Sequence, residues 1–268
     1  MNPIDIGVGL TVVLLFTLIS ARLKLLTKGG MYAALLVGAL VTVFGGLTWL
    51  GLLLAFYLAA GALTRFQYKI KLEKGAAETK GGARSWTNVF ANGGVAALFA
   101  VFEGTLTGGI FFGGFLGALS SAASDTLATE VGTLYPREPR MITRLRRKVK
   151  AGTSGGLSPY GELGILVAAT LLGAVAFAFH IESWSLPKIL LVSVSGGFIG
   201  STSDSLLGAT LQARYYCPLC REETESNPHK CSSECKLIRG TRLLNNHSVN
   251  LVSTMVGGLV GVALAFAL

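Results

Sequence analysis

Charge is scarce in this sequence. Only 14% of its 268 residues are Asp, Glu, Lys or Arg, while 51% are hydrophobic, a balance that excludes the surface of an ordinary water-soluble domain. The first apolar run, Ile6 to Ile19, has Asp5 ahead of it instead of a basic segment, and no small-residue cleavage site follows it. It is therefore expected to be a retained membrane span and not a signal peptide. Glycine-rich turns occur, but none ends in Gly-Lys-Ser, which excludes a P-loop. Cysteine is confined to four residues, all between Cys217 and Cys235.

What the sequence does have is repetition of long apolar runs separated by short polar stretches, the pattern of an all-α polytopic membrane bundle. Eight spans are expected, at 5–21, 31–45, 47–64, 87–103, 107–133, 158–181, 187–211 and 246–268, within one membrane domain covering 1–268. Residues 31–64 are too long for one crossing at about 1.5 Å per residue, and Gly45-Gly46 offers a hairpin between two short helices.

The placement of charge tests this parse. Of 23 Lys and Arg residues, 22 fall in the segment after span one and in the loops at 65–86, 134–157 and 212–245; only Lys188 falls at the opposite face. That asymmetry assigns the basic loops to the cytoplasm and both termini to the outside. It also accounts for the net charge of +9, so a nucleic-acid partner is not expected.

A weak internal repeat is visible, Gly113-Gly114-Phe115-Leu116-Gly117 before Asp125 and Gly196-Gly197-Phe198-Ile199-Gly200 before Asp204. Both copies run outside to inside, so the repeat is parallel.

Ionisable groups inside a span cost about 2.5–3.5 kcal/mol each and are functional candidates by default. Asp125, Glu130, Glu162 and Asp204 qualify. Small residues flank Asp125 and Asp204, which allows close helix packing around one polar pocket near the cytoplasmic face. Thr129 lies one helical turn from Asp125, and Glu130 one turn from Thr126. Carboxylates on adjacent helix faces suit Mg²⁺, which binds through one or two of them together with substrate phosphates; a proton relay or a packing role is the alternative.

Gly152-Thr153-Ser154-Gly155-Gly156-Leu157-Ser158 enters span six as either a phosphate cradle at a helix N-terminus or merely a turn. Upstream lies a basic run from Arg137 to Lys150, a lipid-headgroup anchor, a polyphosphate-capturing surface, or both. Arg84, Asn88 and Asn92, at i, i+4 and i+8, are expected on one face of span four, and Asn245, Asn246 and Asn250 open span eight from the same side.

In the last loop, 212–245, Cys217-x2-Cys220 followed by Cys231-x3-Cys235 fits a tetrahedral structural Zn²⁺ site, with His229 able to replace one cysteine. A disulfide pair or free thiols is the alternative.

The segments Arg84–Asn92, Ala123-Ser124-Asp125-Thr126-Leu127-Ala128-Thr129-Glu130-Val131-Gly132, Gly152–Ser158 and Asn245–Thr254 together resemble the phytyl-phosphate kinase family, which also contains the animal transmembrane protein nineteen. The resemblance covers nearly the whole chain. It implies transfer of the CTP γ-phosphoryl group to a prenyl monophosphate at the cytoplasmic membrane face. The bilayer lipids, the prenyl phosphate and the nucleoside triphosphate would be the partners, and homo-oligomerisation stays open. On this reading Asp125, Glu130 and Asp204 hold Mg²⁺ and act catalytically with Arg84. Asn88, Asn92, Thr129, Thr153, Ser154, Gly155, Gly156, Ser158, Asn246 and Asn250 contact phosphate or nucleotide. His247 stands where relatives are expected to carry an acidic residue, so no role is carried over to it. The competing readings are a kinase of a prenyl alcohol, in which Asp125 or Asp204 acts as base, and an ion-coupled transporter.

Overall fold

Apolar segments that cannot hydrogen-bond to water must satisfy their backbone groups internally, and in this chain they do so as helices. The computed structural model describes residues 2–67, 69, 82–106, 108–180, 183–225, 227–229 and 231–268. Lys71, Lys74, Lys80 and Lys230, four of the basic residues counted above, lie outside the described residues, as do the expected span ends 107 and 181.

Eight helices among the described residues are long and apolar enough to cross a membrane. They are α1 (Pro3–Arg22), α2 (Lys28–Gly45), α3 (Leu47–Arg65), α4 (Trp86–Leu106), α5 (Ile110–Gly132), α6 (Pro159–Ala178), α7 (Leu186–Thr210) and α8 (Asn246–Ala267). The α2/α3 hairpin forms at Gly46, whose φ of +87° is one that an L side chain would resist. With eight crossings, the basic connections all leave the bundle at one end. At the opposite end Lys188 is the one Lys or Arg among the described residues, its ammonium 4.4 Å from the Trp184 ring centroid.

The helices form two zones. In α5, 72% of the apolar window is buried, against 22% in α1, so α5 is the axis of the bundle and α1 its lipid-facing margin. α5 packs against α6, α7 and α8, while α1 rests mainly on α2 and α3. Glycine makes the axial contacts possible. A Cβ at Gly196 of α7 would sit 2.7 Å from the Gly117 Cα of α5; one at Gly257 of α8 would sit 2.8 Å from the Gly117 carbonyl oxygen and 2.9 Å from that of Gly196. The three backbones meet at one level, which only residues without a side chain permit.

Serines stitch the same helices together. The Ser120 and Ser193 hydroxyls are 2.7 Å apart, and Ser193 donates to the Ala169 carbonyl at 2.6 Å. Ser121 donates to the Ser253 carbonyl at 3.1 Å, and Ser124 to that of Ile165 at 3.1 Å.

Two small antiparallel sheets, not foreseen from the sequence, fold at the basic end. In the first, β1 (Arg140–Met141) is flanked by β2 (Arg144–Lys148) and β3 (Gly156–Leu157). In the second, β4 (Arg214–Cys217) is flanked by β5 (Glu222–Thr224) and β6 (Lys236–Arg239). At the other end Glu103 of α4 closes the turn into α5, accepting from Gly109 N–H at 2.8 Å and Phe111 N–H at 3.0 Å.

Candidate functional site

The glycine contact sets the register of the site. Gly117 and Gly196 touch, and Asp125 and Asp204 each follow eight residues later on helices running the same way, about 12 Å further toward the basic end. The repeat aligned by sequence as Gly113 with Gly196 left a four-residue mismatch. Packing pairs Gly117 with Gly196 instead, and the mismatch disappears.

Both aspartates open into a polar cavity of about 190 Å³ at the basic end of the bundle. One water needs roughly 10–15 Å³ of such space, so the cavity has room for a hydrated polyanion and not merely an isolated solvent molecule. Its walls contain Arg84, Asn88, Asp125, Thr129, Glu130, Glu162, Asp204, Asn246, Asn250 and the turn 152–158. Residues spread over some 170 positions of sequence are thus brought to one place.

α8 holds Asp204 on one side. The Ser253 hydroxyl donates to Asp204 Oδ2 at 3.1 Å, and with its amide turned to donate, Asn250 reaches the same oxygen at 3.2 Å and the Asn246 carbonyl at 2.8 Å. Asp204 lies within electrostatic range of Asp125 and of Glu225. Like charges converging in a cavity with low-dielectric walls repel strongly, which makes the place favourable for a hard cation.

Arg84 faces them, although not as expected. It precedes α4, which begins at Trp86, and is clamped through its backbone: Arg84 N–H donates to the Leu25 carbonyl at 2.9 Å, and Thr27 N–H to the Arg84 carbonyl at 3.0 Å. Gly30 is required beneath it, since a Cβ there would collide with the Arg84 carbonyl oxygen. Its guanidinium donates to Asn88 Oδ1 at 2.9 Å and to the Thr64 hydroxyl at 3.2 Å. α4 then passes through a π-helical turn at Phe90–Gly94, a local widening frequently found at functional sites. Asn92 sits in that turn, donates to the Asn88 carbonyl at 2.9 Å, and lines a neighbouring apolar cavity, so the structure does not bring it into the polar one.

The Gly-rich turn is a wall of the cavity, but part of its donor set is spent. Thr153 N–H donates to Lys150 and Gly156 N–H to Thr153, while the Ser158 hydroxyl caps α6 by accepting from Gly161 N–H at 3.1 Å. The residues left to meet an anion are chiefly Thr153, Ser154 and Gly155. Gly155, with φ +80°, lies against α7, where a Cβ would come within 2.8 Å of the Ser205 carbonyl. The basic run forms the exposed β1–β2 hairpin, and none of its Arg or Lys side chains lines the cavity.

Glu225 was missed by sequence reasoning. It stands just beyond β5, reaches the cavity, and is held by Gln212 Nε2 at 2.9 Å and Arg214 Nη2 at 3.3 Å. β4 leaves α7 after only three residues, so the hairpin returns over the same helix end, a course that the composition of the loop did not signal. Thr126 and Ser205 also line the cavity.

Beyond Glu225 the hairpin carries a second cluster. Ligand atoms of Cys217, Cys220, His229 and Cys231 all lie within 4.8 Å of one another, an arrangement that could hold zinc. Cys217 and Cys231 sulfurs are 3.6 Å apart, close to the ~3.8 Å edge of a tetrahedron with ~2.3 Å Zn–S bonds. The backbone N–H of Cys220 lowers the Cys217 thiol to about 6, while its hydrogen bond to Cys231 pushes Cys220 up to about 12. One thiolate is thus ready at neutral pH. His229 Nδ1 is 3.3 Å from Cys231 Sγ, and its Nε2 is 3.2 Å from Glu222 Oε1, the carboxylate–imidazole pairing that orients a metal-bound histidine. His229, the expected substitute, stands in this group of four, and Cys235 lies beside it, its thiol interacting with that of Cys217 and 3.5 Å from the Ser233 carbonyl.

Comparison with known proteins matches residues 11–258 to the family described as integral membrane protein DUF92. Among its relatives, protein PGR of Arabidopsis thaliana is 31% identical over 233 residues, 79% of each chain. Uncharacterized membrane protein MJ0933 of Methanocaldococcus jannaschii is 28% identical over 265 residues, 97% of this chain and 94% of that one. The protein VTE6, chloroplastic, of Arabidopsis thaliana is 26% identical over 243 residues, 88% of this chain and 64% of that protein. No solved structure matches the chain. The family model covers most of the chain, from within α1 to within α8, so this protein belongs to the DUF92 family of integral membrane proteins, the group its sequence resembles.

Proposed function

We propose that this protein is a membrane phosphotransferase that moves the γ-phosphoryl group of CTP to a prenyl monophosphate at the cytoplasmic face. The observation that carries this reading is the polar cavity whose lining brings Asp125, Glu130, Asp204 and Glu225 together with Arg84, Asn88 and the turn 152–158. The relation to VTE6 and the motif resemblance support the substrate class.

The chemistry follows from charge. A phosphate monoester has a second pKa near 6, so at neutral pH its oxygen is already a nucleophile and needs little help from a base. That oxygen bonds to the γ-phosphorus as the bond to the β-phosphate oxygen breaks, giving a prenyl diphosphate and CDP. Repulsion between two polyanions is the obstacle. The donors of Arg84, Asn88, Thr153 and Ser154 are suited to orient phosphate oxygens, and the carboxylates of Asp125, Asp204 and Glu130 to hold Mg²⁺, which supplies charge neutralisation when bound. At the hairpin, Cys217, Cys220, Cys231 and His229 fit a closed structural Zn²⁺ site that keeps Glu225 at the cavity.

The glycine contact closes α5, α7 and α8 against one another beyond the carboxylates, which argues against an ion path between these three helices. The test is to incubate purified protein with γ-labelled CTP or ATP, Mg²⁺, and a prenol or a prenyl monophosphate. Label in a prenyl diphosphate is expected; label in a monophosphate selects the alcohol kinase, and no label with any pair overturns the reading.

A further inference from the structure

A second cavity, about 70 Å³, lies between α1, α2, α3 and the start of α4. Its walls are almost wholly apolar, including Val13, Phe16, Val37, Leu53 and Phe56. Protein interiors are close-packed, and an apolar void forfeits dispersion contacts along its whole lining, so a space of this kind in an ordered bundle is favourable for an apolar occupant. Water finds partners only at the end bearing Tyr57, Arg84, Asn88 and Asn92; along the apolar stretch it lacks the several polar partners it needs.

Two further features define the occupant. The slot is elongated: Leu50 and Ala60 of α3 both line it, ten residues or about 15 Å apart along the membrane depth. It also meets the polar cavity at two residues common to both linings, Arg84 and Asn88. Arg84 is held at that junction by its backbone clamp and by Asn88 and Thr64, which take two of the five guanidinium donors and leave three. A fixed cation therefore stands where a greasy channel ends and a phosphate-sized polar chamber begins.

We propose that this slot binds the hydrocarbon tail of the phosphorylated acceptor, and that Arg84 marks the point where tail meets phosphate. The identity of the acceptor rests on the kinase reading above; the location of its tail does not. The tail enters from the membrane among α1–α3, where α1 packs lightly, and the phosphate is presented to the carboxylate cavity at Arg84. Tail length is then read by α1–α3 and the chemistry is done by α5–α8.

The probe is a prenyl monophosphate carrying a diazirine at the far end of its tail, photolysed on the full-length protein in nanodiscs, with the adducts mapped by peptide sequencing. Adducts are expected on α1–α3 around Val13, Phe16 and Leu53, displaced by unlabelled prenyl monophosphate. Ala34→Phe, which narrows the slot, should weaken labelling at least about tenfold, and the milder Ala34→Leu should weaken it more for long tails than for short ones. Adducts confined to α5–α8, or equal displacement by a diacyl phospholipid, would overturn the assignment without any need for the variants. A phosphoryl-transfer assay on the same sample separates the two claims. Transfer with misplaced adducts removes the tail site and keeps the kinase, whereas correctly placed adducts without transfer do the reverse.

Discussion

The lipid-facing layer of α1–α3 and the axial group of α5–α8 are both built from apolar helices, yet they differ in how they are held. α1–α3 pack through ordinary side chains such as Val13, Val37 and Leu53 and leave a slot among them. α5, α7 and α8 touch backbone to backbone through Gly117, Gly196 and Gly257, and serines bond across them. Greasy packing tolerates voids and changes of volume. Backbone contact tolerates neither, and it is this zone that carries the carboxylates. Precision has been placed where charges have to be held.

That contrast can be tested from its strongest side first. Asp204→Asn and Asp125→Asn keep the shape of the cavity and remove a charge from it, so each should lower phosphoryl transfer by about 10²–10³-fold with little change in melting temperature. Near-normal turnover in both would end the metal assignment. Next, Gly257→Leu has no space beside the carbonyls of Gly117 and Gly196 and should destabilise by about 3 kcal/mol or more. A comparable enlargement in the outer layer, Ala34→Leu, should cost under about 1.5 kcal/mol, because it grows into the slot. Thermal unfolding of both in one detergent would show whether the two zones differ as described.

The sequence displayed the spans, the one-sided basic loops and most of the cavity wall, because each is written in local composition: apolar runs, Lys and Arg placement, carboxylates where none is cheap. Three things were not legible. The pairing of Gly117 with Gly196 depends on which turn of α5 meets α7, which no single helix specifies. Arg84 looked like the first turn of a helix, but its backbone is committed to Leu25 and Thr27, contacts nearly sixty residues away in sequence. Glu225 belongs to a hairpin whose strands were hidden inside a loop read only for its cysteines.

The hairpin gives the smaller predictions. Zinc analysis should find one ion per chain, and Cys217→Ser should remove it, lower the melting temperature and reduce transfer only in part; a zinc-free protein of unchanged stability would dismiss the site. Glu222→Gln leaves all four ligand residues in place and should weaken zinc by about tenfold, the cost of losing the partner that orients His229. An unaltered affinity would mean that His229 does not bind through Nδ1.

The meeting of three glycines has one more consequence. Asp125 and Asp204 hang about 12 Å below it on separate helices, so each carboxylate sits at the end of a lever whose fulcrum is that contact. A tilt of about 5° between α5 and α7 moves their tips apart by about 1 Å, a displacement worth about 100-fold at a reacting centre. The bulk missing from three residues in the middle of the membrane is thus geared directly to the separation of charges at its edge.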